Sequence, residues 1–337
     1  MERVSRVIKA PVLIIAHRRP ERIKLMLQNK QLLERNVYLH VDGARNQEEA
    51  QSVQEVGEIA LSYSKIHPNC KVKIQKSNLG VRRGPEFALD WAFSKTKALI
   101  ILEDDIVVSP AFFDFCDFYL DKYENNFEIW QISGWTPISN DDSQGRNYLS
   151  HYTHIWGWAT WRSRWTSNDK EFVHWKPGIL KFSKCVKGMS WKDQFSDYWD
   201  AQVIQVLDGK QAWDTAWMVS MHLHDSLSVS PAFRHTGNVG FDETANNTEG
   251  ITGKVFRELP NFENYQFDKT LDLQFSANLA EFHNERIFGI RNHVVDEELL
   301  SVNFASGRFL TWLKKFIPVR LKIKIKHALL YAMRIGG

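Results

Sequence analysis

Cysteine is scarce in this chain of 337 residues: Cys70, Cys116 and Cys185 are the only three, and they are widely spaced. An odd number at such spacing makes neither a disulfide framework nor a metal pattern, and it suits a reducing compartment. Excess charge of either sign is also lacking. Lys and Arg number 43 against 40 Asp and Glu, so general polyanion binding is not expected. No stretch reaches the ~20 apolar residues of a membrane span. The opening Met1-Glu2-Arg3-Val4-Ser5-Arg6 runs into a short apolar strand without a signal-peptide core. A cytoplasmic location is the expectation. No Gly-rich fingerprint follows the first apolar run and no Walker sequence occurs, which argues against dinucleotide binding and P-loop chemistry.

What is present is an ordinary globular composition, 43% apolar and 25% charged, long enough for one large or two modest domains. Tryptophan is abundant, thirteen residues, most of them between Trp130 and Trp217. Aromatic faces stack on sugar rings and bases, so the clustering hints at a carbohydrate or nucleotide site; a Trp-rich core is the plain alternative. The chain is organised around residues 98–110, Ala-Leu-Ile-Ile-Leu-Glu-Asp-Asp-Ile-Val-Val-Ser-Pro. A continuous apolar run of this kind reads as a strand buried on both faces, and it delivers Glu103, Asp104 and Asp105 to its carboxyl end. In open α/β sheets ligands bind at that edge. Adjacent carboxylates repel and need a cation or donors beside them, and Mg²⁺ or Mn²⁺ with phosphate is a suitable partner.

The pattern along the chain predicts strands over 11–16, 37–41, 71–75, 98–102 and 128–133, with helices over 20–34, 47–66 and 85–94 and another capped by Ser109 with Pro110 at its first position. Strands alternating with helices predict a right-handed, mostly parallel α/β sheet. The first strand ends in His17-Arg18-Arg19-Pro20, and the second in Asp42-Gly43. Arginine suits phosphate or a stacked base; an aspartate accepts from a ribose hydroxyl or a base N–H. Taken singly, Arg18 and Arg19 read equally well as a solvated helix start and Asp42 as a turn residue; together, at three strand ends, they favour a site. Beyond Gly134 lie a polar loop over 136–150, a helix-like aromatic segment over 154–161, an irregular basic stretch over 175–191, helices over 195–207 and 211–223, a short strand over 227–230, and a Gly/Asn-rich loop over 235–242 of the sort that covers active sites. His235 in that loop is a weak candidate for a second metal ligand. Residues 308–334 carry Lys and Arg among Leu, Ile, Phe, Trp and Tyr with no acid between them. A basic amphipathic tail over 305–335 reads as an anchor on an anionic membrane surface, with a helix docked on the core as the alternative.

The segment Leu102-Glu103-Asp104-Asp105-Ile106-Val107-Val108-Ser109-Pro110-Ala111-Phe112-Phe113 resembles the metal-binding region of the β-1,2-N-acetylglucosaminyltransferase I family, inverting glycosyltransferases of the GT-A fold. The resemblance continues through Val12-Leu13-Ile14-Ile15-Ala16, Ile129-Trp130-Gln131-Ile132-Ser133-Gly134-Trp135, Trp156-Gly157-Trp158 and Trp213-Asp214, covering roughly residues 10–245, and extends to bacterial sugar transferases of surface-polysaccharide assembly. It implies a GT-A (Rossmann-like), mostly parallel sheet flanked by helices over 1–250, with a nucleotide-sugar half (1–135) and an acceptor half (136–250), followed by a C-terminal extension over 251–337. By the same resemblance Asp105 binds the divalent metal (Mn²⁺ or Mg²⁺), Asp104 faces the ribose and Glu103 the donor sugar. Arg19 contacts the nucleotide and Asp42 reads the base, favouring uracil. Arg82 stands near a family histidine that touches the nucleotide. Asp214 is the catalytic base, with Asp200 as the rival. The implied activity is transfer from a nucleotide-sugar, UDP-linked with UDP-N-acetylglucosamine as one candidate, to a glycan or lipid-linked acceptor at the inner membrane face. A sugar-nucleotide pyrophosphorylase and a non-catalytic carbohydrate-binding protein on the membrane are the competing readings. The first lacks its Gly-rich loop here, and the second leaves three acids at a buried strand end unexplained.

Overall fold

The computed structural model describes residues 9–137, 145–184, 186–210, 212–240, 273, 323 and 327. It divides into two compact units. Among the described residues, the first holds those up to Ser167 together with 227–240, and the second holds Asn168–Ser226.

Unit 1 is a mixed α/β layer. Its strands are β1 (Val12–Ala16), β2 (Val37–Val41), β3 (Cys70–Ile74), β4 (Ala98–Glu103), β5 (Ile106–Val108), β6 (Ile129–Ser133), β7 (Tyr148–Ser150), β8 (Trp158–Trp161), β9 (Leu227–Ser230) and β10 (Thr236–Asn238). Its helices are α1 (Pro20–Leu27), α2 (Gln47–Ile66), α3 (Gly80–Phe93), α4 (Phe112–Lys122) and the single turn α5 (Arg162–Trp165). Eight strands form one sheet in the order β3-β2-β1-β4-β8-β6-β9-β7, and β5 pairs with β10 separately. The β3-β2-β1-β4 half is parallel throughout, with Ile15 opposite both His40 and Glu103. The carboxyl ends of β1, β2 and β4 therefore share one edge. The chain runs outward from β1 through β2 to β3, then returns to place β4 on the other side of β1. That reversal puts the switch point, where open sheets bind ligands, between β1 and β4.

Each element has a local cause. Strands β1, β2 and β4 are runs of mostly branched apolar residues buried on both faces, with α3 over β1 and β4 and α2 on β2, whereas the edge strand β3 is largely exposed. In α2 the buried Val53, Val56, Ala60 and Tyr63 recur at helical spacing. Its start is capped by Asn46, whose Oδ1 accepts the Glu49 N–H at 3.1 Å. At the base of β1, Arg35 and Asp117 form a buried ion pair (2.7 Å), and both also bond the backbone of Ala10. This ties α4 to the first strand.

Several expectations are corrected. The sheet, expected to be mostly parallel, is mixed: β8 inserts antiparallel between β4 and β6, and only the first half and the β6–β9 pair are parallel. Residues 158–161, expected in a helix-like segment, form that inserted strand, because Trp158, Ala159, Thr160 and Trp161 are buried on both faces. The 3.6-residue reading failed on a run with no polar face. The helix expected from Pro85 starts five residues earlier, at Gly80, with Pro85 in its interior. The helix expected from Pro110 starts at Phe112, and Ser109 Oγ lies against His235 Nδ1 (3.1 Å) rather than capping it. The loop expected over 235–242 contains β10, which pairs with β5.

Unit 2 is helical where described, with α6 (Lys192–Leu207) and α7 (Asp214–Leu223) packed on a 3₁₀ turn at Leu180–Phe182. Its core includes Trp175, Trp191, Phe195, Trp199 and Trp217. Across both units the tryptophans expected to hint at a ligand site are mostly core residues. Trp130, Trp135, Trp158, Trp161, Trp165 and Trp213 are buried as well. Several of their indole N–H groups find internal acceptors, as Trp161 does on Leu120 O (3.1 Å) and Trp165 on Asp90 Oδ1 (2.7 Å). No helix of the described residues is long and apolar enough to cross a membrane. The basic tail over 305–335 lies outside them except for Ile323 and His327.

Candidate active site

At the end of β4 the chain turns sharply into β5, and Asp104 and Asp105 occupy the turn. Both are buried, with 6% and 9% of their surfaces exposed. The backbone holds them: Asp104 N–H donates to Ile15 O on β1 (3.0 Å), and Asp105 O accepts from Val239 N–H (2.9 Å). Their carboxylates converge on one guanidinium. Arg19 Nη1 lies 2.7 Å from Asp104 Oδ1 and 3.1 Å from Asp105 Oδ2. Asp104 Oδ2 accepts the His17 N–H at 3.0 Å. Asp105 Oδ1 is buried without a hydrogen-bond partner. Burial pushes the Asp105 carboxyl above the usual aspartate range, the neighbouring Asp104 pushes it further, and Arg19 opposes both.

The 236–240 segment closes over this turn. Arg22, one turn along α1 from Arg19, donates from Nη2 to Val239 O (3.1 Å). A Cβ on Gly240 would come within 2.3 Å of Asp105 Oδ2, so only glycine permits this approach. Gly134 has a similar cause: a Cβ there would lie 2.5 Å from the Phe112 ring and 2.8 Å from Gly157 O. A cavity of ≈ 170 Å³ opens beside Asp104, walled by Leu25, Met26, Leu102 and Val107, with Arg22 as a further polar group.

The structure brings Arg19, Asp104 and Asp105 to one edge, as the sequence led one to expect, and pairs the guanidinium directly with both acids, which the sequence did not indicate. Glu103 ends β4 and is half-buried beside them in the chain. Asp42 takes another role. Rather than facing a base, its carboxylate accepts from Gly43 N–H (2.9 Å), Leu79 N–H (2.9 Å), Gly80 N–H (3.2 Å) and Asn78 Nδ2 (3.1 Å). It caps α3 from a neighbouring strand, which is why that helix begins at Gly80 and not at Pro85. Arg82, in the first turn of α3, pairs with Glu86 at 3.6 Å.

His235, the weak candidate for a second metal ligand, is fully buried, faces Ser109 and the Phe115 ring, and is lowered by burial to about 3. Glu49 was not singled out from sequence. It receives Arg18 (3.0 Å) and Arg45, and the Arg45 hydrogen bond holds its carboxyl down to about 2. The legible signal was Asn46-Gln47-Glu48-Glu49, a helix-start pattern. Arg22 and Gly240 gave no signal that separates them from surface residues.

In unit 2, Asp214 is the first residue of α7 and is half-buried; its Oδ1 accepts the Thr215 N–H at 3.1 Å. Burial raises its carboxyl, and Lys210 acts in the opposite direction. Asp200 is engaged on both oxygens, by Trp175 Nε1 (2.9 Å) and Gly178 N–H (2.7 Å), and burial pushes it up to about 7. It anchors the 175–178 loop on α6, which leaves Asp214 the more available carboxylate.

No family model matches the sequence, and no match is found among curated proteins. Among solved structures, the chain is similar to the mannosyltransferase PcManGT from Pyrobaculum calidifontis, solved in complex with GDP-Man and Mn²⁺. The identity is 12%, over 64% of this chain and 70% of that one, with a TM-score of 0.32.

Proposed function

We propose that the chain is a divalent-metal-dependent glycosyltransferase that draws its sugar from a nucleotide-sugar. The observation that carries this reading is the buried Asp105 carboxylate at the switch point, with one oxygen on Arg19 and the other unpartnered. An unsatisfied buried acceptor costs about 1–3 kcal/mol, and more when charged; a hard cation removes that cost. The donor set fits Mn²⁺ or Mg²⁺, which take few protein carboxylates and complete their shells with phosphate and water. Among the described residues no cluster of three or more His, Cys, Asp or Glu is arranged to hold a metal ion. Asp105 would hold the ion, which when bound offsets the charge developing on the departing diphosphate.

The remaining roles belong to the chain's own groups. Arg19 supplies a guanidinium suited to phosphate. Asp104, held by His17 N–H and Arg19, is assigned the ribose hydroxyl by the family resemblance, and Glu103 the donor sugar. Asp42 serves indirectly, by setting the start of α3 and so the position of Arg82. The general base of an inverting transfer is assigned to Asp214 by the family resemblance. A carboxylate raised by burial accepts a proton from an acceptor hydroxyl more readily than one in water. The finer reading, a UDP-sugar such as UDP-N-acetylglucosamine and a glycan or lipid-linked acceptor on the cytoplasmic membrane face reached through the basic tail, rests on the sequence alone.

The test is calorimetric binding of UDP and GDP with and without Mn²⁺, followed by a screen of nucleotide-sugars for metal-dependent turnover. We expect Asp105→Ala to lose metal-dependent binding and at least about a hundredfold in turnover with its melting curve intact. Unchanged turnover in that variant overturns the reading.

A further inference from the structure

We propose that Arg19 is the resident counter-cation of the acidic turn: it holds Asp104 and Asp105 while no metal is bound, opposes a divalent ion binding alone, and is drawn off by a nucleoside diphosphate. The inference rests on the metal-dependent reading of this site.

The acids themselves are fixed. Both are tied through the backbone, to Ile15 and to Val239, and Gly240 packs directly against Asp105. Arg19 is held differently. Its main chain is set by the following Pro20 and by Ile23 N–H on its carbonyl (3.1 Å), but a third of its side chain (33%) faces solvent. Its head is open to an anion arriving from solvent. Arg35 shows the opposite case, 2% exposed and gripping Asp117 with both terminal nitrogens (2.9 and 2.7 Å) and Ala10 O with one. The two pairs have the same chemistry, but Arg35 is enclosed and Arg19 is partly exposed.

The consequence is electrostatic. Asp105 offers Oδ1 to an incoming cation while Oδ2 is on Arg19. A divalent ion on the first oxygen and a guanidinium on the second share one carboxylate and repel each other. A diphosphate changes the balance. It brings negative charge for the ion and a bidentate partner for the guanidinium, which pairs with phosphate at least as well as with carboxylate. Metal and nucleoside diphosphate then bind with positive coupling, and that coupling is reciprocal.

The experiment is a Mn²⁺ titration of the full chain, read by the electron paramagnetic resonance signal of free Mn²⁺, with and without saturating UDP or GDP. Proteins compared are wild type, Arg19→Gln, Arg19→Lys and Asp105→Ala, each checked by thermal melting. We expect Mn²⁺ alone to bind Arg19→Gln roughly three- to tenfold more tightly than wild type. We expect the nucleotide to tighten Mn²⁺ binding at least about tenfold in wild type and much less in Arg19→Gln. Should Arg19→Gln not fold, Arg19→Lys gives the readout: its ammonium lacks the fork, releases the acids more readily, and raises Mn²⁺-only affinity in the same direction. Equal or weaker Mn²⁺-only binding in the folded Arg19 variant, with Asp105→Ala still abolishing it, overturns the proposal alone. Failure of every protein to bind Mn²⁺ overturns the metal-dependent reading as well.

Discussion

In unit 1 most of the buried acids meet arginines: Asp104 and Asp105 share Arg19, Asp117 pairs with Arg35, and Glu49 collects Arg18 and Arg45, while Asp42 is held by backbone N–H groups. In unit 2, Asp200 is satisfied by an indole and a backbone N–H, and Asp214 accepts the backbone N–H of Thr215. The consequence is a difference in proton affinity: the Arg45 hydrogen bond holds Glu49 down at about 2, whereas burial pushes Asp200 up to about 7. A guanidinium keeps a carboxylate ionised and fit to bind cations or orient donors. Dipoles alone satisfy geometry but leave the proton attractive, which suits a carboxylate that must accept one. Asp105 lies between the two regimes, paired on one oxygen and orphaned on the other.

The sharpest way to break this contrast is to remove the proton acceptor of unit 2. Asp214→Asn is expected to lower turnover by about 10²- to 10⁴-fold with little change in donor binding; a loss confined to KM would remove it from the base role. Next in size is the enclosed ion pair of unit 1. Arg35→Ala strands Asp117 in the interior and is expected to destabilise by about 3–5 kcal/mol in urea unfolding. The double replacement Arg35→Met with Asp117→Leu should cost clearly less than the single one. Equal costs would show that the pair is not electrostatically coupled.

Asp200 tests the other side of the comparison. Its carboxyl titrates at about 7 in the fold against an ordinary value of 3.8. The folded form binds the proton more tightly, so its contribution to stability is fully present below about pH 4 and is lost as pH rises to about 7. Asp200→Asn should therefore gain on wild type by up to about 1.4 kcal/mol per pH unit across that window; a constant difference in melting between the two proteins would refute the assignment. Unit 1 contributes with the opposite sign. His40 and His235, lowered by burial to about 4 and about 3, resist protonation in the fold, so their stabilisation is present above about pH 6.5 and fades as pH falls toward those values. The smallest expected effect is at the strap. Gly240→Ala forces Asp105 Oδ2 or the backbone to move and is expected to cost about 1–3 kcal/mol and to weaken Mn²⁺ binding. Unaltered metal affinity would show that the strap gives way instead of the acid.

The strands of the parallel half, the long helix α2 and the acids of the β4 turn were legible in the sequence because their causes are local: branched apolar runs, a 3.6-residue periodicity and a capping asparagine. Arg19 was legible as a charge at a strand end, though its two partners were not. Asp42 was placed correctly at the end of β2 and given the wrong neighbours, because the N–H groups it caps belong to a helix 38 residues away. The aromatic run at 158–161 was misjudged for a related reason. A segment buried on both faces carries no amphipathic signature, and its pairing with β4 and β6 is a long-range choice.

What the sequence alone determined is the set of elements and the delivery of three consecutive carboxylates to a strand end, since propensity and hydrophobic period act over a few residues. Tertiary structure decided which of those charges are compensated, by what, and how tightly. It set one guanidinium across Asp104 and Asp105, a glycine against Asp105, and left the Oδ1 of Asp105 without a hydrogen-bond partner. Those outcomes depend on desolvation and on contacts between segments as far apart as Arg22 and Val239, and no local pattern in a chain encodes them.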